Sequence, residues 1–140
     1  MQPSRFIKNA IALCALAAVL AFGAGCGGDD NGGSGGLSAQ DKLQVIQARA
    51  DIDEFCSVQD TGTNDLYDRS FGVMLDAVRE LARVYREHPD AQVDVPVEKK
   101  KYTLEQIMRE KIRDLRDCGR DGRQQAGVLE AALQQQQQQS

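Results

Sequence analysis

The chain has 140 residues, with 17 Lys and Arg against 21 Asp and Glu, one His and no Trp. This acidic balance lacks the basic face that general nucleic-acid binding requires. A single His leaves little material for imidazole-based metal sites or triads.

The first nine residues, Met1 to Asn9, are short and carry two positive charges, Arg5 and Lys8. Ala10 to Phe22 follow without a charge and consist almost entirely of Ala, Leu, Val and Ile. Thirteen residues are too few for a stable membrane span, which needs about 20. A basic start, a short apolar run and a small-residue boundary read as a secretory signal peptide over residues 1–25. No Arg-Arg pair precedes the apolar run, so Tat-type export has no support.

The boundary reads Gly23-Ala24-Gly25-Cys26. It resembles the lipobox of bacterial lipoproteins, in which small residues precede a Cys that receives a diacylglyceryl group and becomes the new N-terminus. Gly23 stands where that family usually carries Leu. The resemblance covers residues 1–26 alone and implies lipidation at Cys26. It also implies an extracytoplasmic address, on the outer face of the cytoplasmic membrane or, in a two-membrane cell, the outer membrane. Gly27 follows Cys26 in place of the Asp that would mark inner-membrane retention. Two or more acyl chains hold a protein firmly where one holds it marginally.

Without residues 1–25 the chain carries 15 basic and 21 acidic side chains, net −6. Of its cysteines, Cys14 lies within the signal and Cys26 is the lipid acceptor, which leaves Cys56 and Cys118. In an oxidising compartment such a pair is read as a disulfide. Two free thiols or a metal pair are the alternatives, although thiolate metal sites want more Cys or His ligands.

Residues 27–36 hold six glycines and no apolar side chain, so nothing offsets the entropy of ordering them. With Cys26 they form a linker over 26–37, spanning on average about 5–6 Å × √n. The helical domain is expected over 38–133. Its first helix starts at Ser38, a capping residue, with Asp41 facing the positive dipole end. Leu43, Ile46 and Ala50 on one edge, and Val45, Ala48, Ile52, Phe55 and Cys56 on another, predict a broad buried face. Turn formers from Asp60 to Asn64 close it.

Tyr67, Phe71, Met74, Val78, Leu81 and Tyr85, spaced by fours and threes, predict the second helix, which His88-Pro89 ends. Val93, Val95 and Val97 then alternate with polar residues or proline, the pattern of a short extended stretch laid over the bundle. Pro96 argues against a central strand. Thr103-Leu104-Glu105-Gln106 has the capping-box pattern, and Leu104, Ile107, Met108, Ile112 and Leu115 give a third amphipathic helix, with Gly119 as its left-handed stop. The pattern permits a short fourth helix from about Gln124 to Leu133. Gln134 to Ser140 read as a disordered, glutamine-rich tail.

The expected fold is therefore all-α: an antiparallel three-helix bundle with an optional fourth helix and one disulfide. Running up, down and up, helices one and three finish at the same end, which brings Cys56 and Cys118 together.

No catalytic constellation follows from the chain. His88 sits at a helix end, where capping or solvation explains it. Asp51, Asp53, Glu54, Asp65 and Asp68 read as charged helix surface without the apolar pocket that acid–base work needs. Asp60 to Asp65 lacks the spacing of a calcium loop, and the Gly-rich run lacks the Lys-Ser/Thr of a phosphate loop. No cofactor is implied. One segment stands out: residues 99–123 hold nine basic and five acidic side chains. Local pairs, Glu105 with Arg109 and Glu110 with Arg113, account for part of it. Lys99, Lys100 and Lys101 are its densest part, suited to anionic lipid headgroups, an acidic envelope polymer or an envelope protein. The function expected is non-enzymatic binding or scaffolding of an envelope component, with a ligand-binding cleft between helices as the alternative.

Overall fold

The computed structural model describes residues 36–59 and 64–140. The expected signal segment, Cys26, nearly all of the expected linker and residues 60–63 lie outside the described residues. Among the described residues four helices and one hairpin follow in chain order: α1 (Ala39–Val58), α2 (Asn64–Glu87), β1 (Gln92–Val95), β2 (Lys100–Thr103), α3 (Leu104–Asp117) and α4 (Gly119–Gln139). The molecule is mostly helical, as expected.

Local chemistry sets the helix ends. Ser38 Oγ accepts from the Asp41 N–H at 3.0 Å to open α1. The capping box at Thr103 is complete: Thr103 Oγ1 accepts from the Gln106 N–H, and Gln106 Oε1 accepts from the Thr103 N–H. Helix α2 stops at Glu87, one residue before His88-Pro89. Gly119 has φ +71°, the left-handed conformation that lets α3 end and α4 begin with no linker between them.

Contacts between helices fix their directions. Asp41 at the start of α1 meets Arg83 near the end of α2, and Phe55 near the end of α1 packs on Tyr67 and Phe71 at the start of α2. Helix α3 runs alongside α1 in the same direction, through Arg49–Glu110, Asp53–Lys111 and Cys56–Cys118. Helix α4 returns along α2: Tyr67 donates to Asp121 at one end, and the Gln136 amide donates to the Arg86 carbonyl at the other. The arrangement is up, down, up, down. The core between the helices is built from Val45, Ile52, Phe55, Met74, Val78, Leu81, Leu104, Met108, Leu115 and Leu129, all fully buried.

Two expectations are corrected and one, the extended stretch, is enlarged. The fourth helix is long: it begins at Gly119, and Gln134 to Gln139 extend it in place of the expected disordered tail. Glutamine is a good helix former, and the buried stripe of Ala126, Leu129, Ala132 and Leu133 carries the helix to that point. The extended stretch is one arm of an antiparallel hairpin pairing Val93 with Tyr102 and Asp94 with Lys101. Val93 and Val95 face the core, while Val97 lies in the turn and is 94% exposed. Helix α1 buries one of its two expected edges fully and the other in part: Ile46 packs against the core, while Leu43 remains 68% exposed and Ala50 faces solvent.

Candidate functional site

Cys56 and Cys118 stand at disulfide distance, with Cα atoms 5.1 Å apart. They close the end of the bundle where α1 and α3 finish, beside the aromatic cluster of Phe55, Tyr67 and Phe71, whose ring centroids lie 5.6–6.1 Å apart. In the chain-entropy model, closing a loop of 62 residues stabilises by about 4 kcal/mol. Cys26 lies outside the described residues.

The three lysines lie at the hairpin. Lys99 closes the turn with φ +52°, and Lys100 and Lys101 begin β2; all three side chains are exposed. Lys101 stands 3.9 Å from Asp94, its cross-strand neighbour. Among the described residues Lys99 and Lys100 have no ion-pair partner. The turn's own carboxylate is engaged by other donors: Glu98 accepts from Tyr102 Oη and from Arg49 Nη1, the latter at 2.6 Å. These two donors, Tyr102 first, hold the Glu98 carboxyl below its ordinary value.

Arg49 is the hub of this region. Its guanidinium binds Glu98, grips both oxygens of Glu110 at 2.9 and 3.1 Å, and lies 5.0 Å from the centre of the Tyr102 ring. One side chain thus ties α1 to α3 and to the turn and second strand of the hairpin. The expected Glu110–Arg113 pair is replaced by this longer-range one, because Arg49 projects from α1 directly onto α3. Glu105 and Arg109 do pair, at 2.7 Å.

Beside it, Lys111 is almost wholly buried, yet its ammonium reaches Asp53, Asp114 at 2.7 Å and Glu110 at 3.2 Å. Burial opposes its charge, but the hydrogen bonds to Asp114 and Asp53 outweigh that and raise its pKa above the ordinary lysine value. The sequence does carry a signal. Leu104, Met108, Lys111 and Leu115 are spaced 4, 3 and 4, so Lys111 occupies an apolar position of the stripe. No such signal marks Arg49. A second hub, Arg83, gathers Asp41, Glu80 and Glu87 and locks α2 to the start of α1.

The basic segment therefore splits. Lys111 is consumed inside, and Arg109 and Arg116 are paired with Glu105 and Glu130. Lys99, Lys100, Arg113, Arg120 and Arg123 have no ion-pair partner among the described residues. Arg113 belongs to a groove of about 730 Å³ between α3 and α4. Its floor includes Ile112 and Leu133, and Arg109, Arg113 and Arg116 line its α3 side with Gln134 and Gln137 on the α4 side. The sequence could not reveal this groove, because it forms only where α4 packs along α3, and Gln134 and Gln137 on its α4 side read as a disordered tail.

Other candidates lie apart. His88 is half-buried just after α2, and Asp51 accepts from the Gln47 amide. Among the described residues no group of three or more His, Cys, Asp or Glu is placed to hold a metal ion, and no helix is long and apolar enough to cross a membrane. No protein-family model matches the chain, and no curated protein or solved structure does so either.

Proposed function

We propose that the chain is an envelope lipoprotein. A diacylglyceryl group on Cys26 holds its helical domain outside the cytoplasmic membrane, where it binds or scaffolds another envelope component without chemistry of its own. The observation that carries this reading is the order of segments in the sequence: basic start, short apolar run, Gly23-Ala24-Gly25-Cys26, then a glycine-rich linker ahead of a domain. The segregation of charge supports it. The hairpin lysines stand on an otherwise acidic body, with the turn's one carboxylate paired to Arg49.

Cell fractionation tests the reading. The chain with Cys26→Ser is expected to leave the membrane fraction and appear in the soluble extracytoplasmic fraction, while the unaltered chain stays with the membrane. Retention of the variant on the membrane contradicts the anchor.

The groove favours a second reading, a small-molecule or ion-binding module. Its volume falls within the range of about 300–1,000 Å³ typical of ligand sites, and it combines an apolar floor with unpaired Arg113. A ligand held there raises the melting temperature by mass action, an effect that Arg113→Glu removes.

A further inference from the structure

We propose that the hairpin turn is a second membrane contact, in which Lys99, Lys100 and Lys101 rest on anionic phospholipid headgroups and Val97 enters the interface between headgroup and acyl chain. This rests on the lipid-anchored reading, and it names the partner that the basic surface meets.

Four observations converge. First, Val97 is 94% exposed in a four-residue turn whose neighbours Val93 and Val95 are buried. An apolar side chain presented in this way gains nothing from water, and it gains nothing from a soluble polyanion, but it does gain from a lipid interface. That separates a lipid surface from an acidic polymer as the partner. Second, the turn is positive because the charge of Glu98 is balanced by Arg49, which leaves Asp94, 3.9 Å from Lys101, as the other nearby acidic group.

Third, the hairpin is rooted at the end of the bundle where α1 begins, and its turn lies along the side of the bundle, level with Arg49 midway along α1. The Leu104 N–H donates to the Ala91 carbonyl at 3.0 Å and closes the root between the end of α2 and the start of α3. Leu37 is buried at the start of α1, and Asp41 joins that start to Arg83 near the end of α2. The Cys56–Cys118 pair marks the opposite end. Fourth, the strength suits an auxiliary contact. Lysines near an anionic surface are each worth about a factor of five, so three shift occupancy by roughly a hundredfold. That is too weak to recruit a free protein, but it is decisive for one already tethered, where effective concentrations reach about the millimolar range. The hairpin would then orient the domain, with α4 and the groove held in a fixed relation to the bilayer.

Because the chain has no tryptophan, Val97→Trp places a single fluorescent reporter in the turn. The mature chain from Cys26, made without acylation, is coupled through its Cys26 thiol to a maleimide-bearing phospholipid in preformed vesicles. The hairpin is thereby tested whether or not the cell acylates Cys26, and failure here is distinct from failure of the anchor. On vesicles of equal phosphatidylglycerol and phosphatidylcholine, the emission of the introduced indole is expected to shift to the blue, and lipid-borne quenchers should reach it. On phosphatidylcholine alone, in high salt, or with Lys99→Glu, Lys100→Glu and Lys101→Glu added, the shift should vanish. Water-like emission on the anionic vesicles overturns the proposal, as does an equal shift on neutral ones. Binding of soluble polyglutamate by the triple-lysine turn, with no response to anionic vesicles, overturns it in favour of an acidic polymer.

Discussion

At position 111 an ammonium occupies a place that the helical repeat reserves for an aliphatic side chain. Its carbon stem packs in the core, while its charge is returned to the α1–α3 seam, where Asp53 and Asp114 are half in solvent. The two sides of this arrangement are not equivalent. Lys111→Met keeps the stem and leaves two carboxylates that water can solvate, so the unfolding free energy from urea titration is expected to change by less than about 1 kcal/mol in either direction. Asp53→Ala with Asp114→Ala leaves the buried ammonium with Glu110 alone, already claimed by Arg49. That double variant is expected to lose about 3 kcal/mol. A larger loss for the methionine variant than for the double alanine variant contradicts this account. Arg49 teaches a different lesson at the same scale. Its partners Glu98, Tyr102 and Glu110 lie 49 to 61 residues away in sequence. Local charge spacing pairs Glu110 with Arg113 and has no means of finding the tertiary contact that prevails.

Among the elements, those legible in the sequence are the ones whose ends and faces are both written locally. Ser38 and Thr103 cap as their side chains suggest, His88-Pro89 stops α2, and Gly119 adopts the positive φ expected of a stop. The hairpin is half legible. Its first strand alternates, but its second, Lys100-Lys101-Tyr102-Thr103, shows no apolar alternation because that arm is mostly solvent-facing. Helix α4 is longer than its pattern suggests because Gly119, Gly122 and Gly127 lower helix propensity and the glutamines carry no period. One of those glycines has a packing reason. A Cβ at Gly122 would lie 2.4 Å from the Leu115 carbonyl oxygen and 2.8 Å from Cys118 Cβ, so the sharp α3–α4 elbow needs a hydrogen there. Gly122→Ala is expected to destabilise by about 1–3 kcal/mol despite alanine's better helix propensity. Gly127→Ala, in open space, is expected to stabilise by a few tenths up to about 1 kcal/mol. Opposite signs in denaturant titrations support the elbow, and equal effects contradict it.

For the whole molecule, ion pairs and tyrosines set the pH range over which the bundle is stable. Asp41, lowered by its hydrogen bonds from Ser38 and Arg83, contributes stability that is present above the unfolded carboxylate value near 4 and lost as pH falls through its folded value. Glu98 acts in the same direction. On the alkaline side Tyr67, hydrogen-bonded to Asp121, has its pKa pushed up to about 12. Its neutral form is therefore favoured in the folded state. That contribution is full below the unfolded value near 10 and is lost as pH rises from there through about 12. Stability measured against pH is expected to form a plateau from about pH 5 to 10, and Tyr67→Phe should flatten the alkaline limb between about pH 10 and 12. An unchanged limb in the variant contradicts the assignment to Tyr67.

The charge map, the groove and the hairpin gain a shared setting only if the chain is held at a lipid surface through position 26. Intact-mass and N-terminal peptide analysis of the protein purified from its native membrane tests this most directly. The account predicts a chain beginning at Cys26 whose sulfur bears a diacylglyceryl group. A chain beginning at an unmodified residue beyond Cys26 would contradict it and leave a secreted helical domain without a tether.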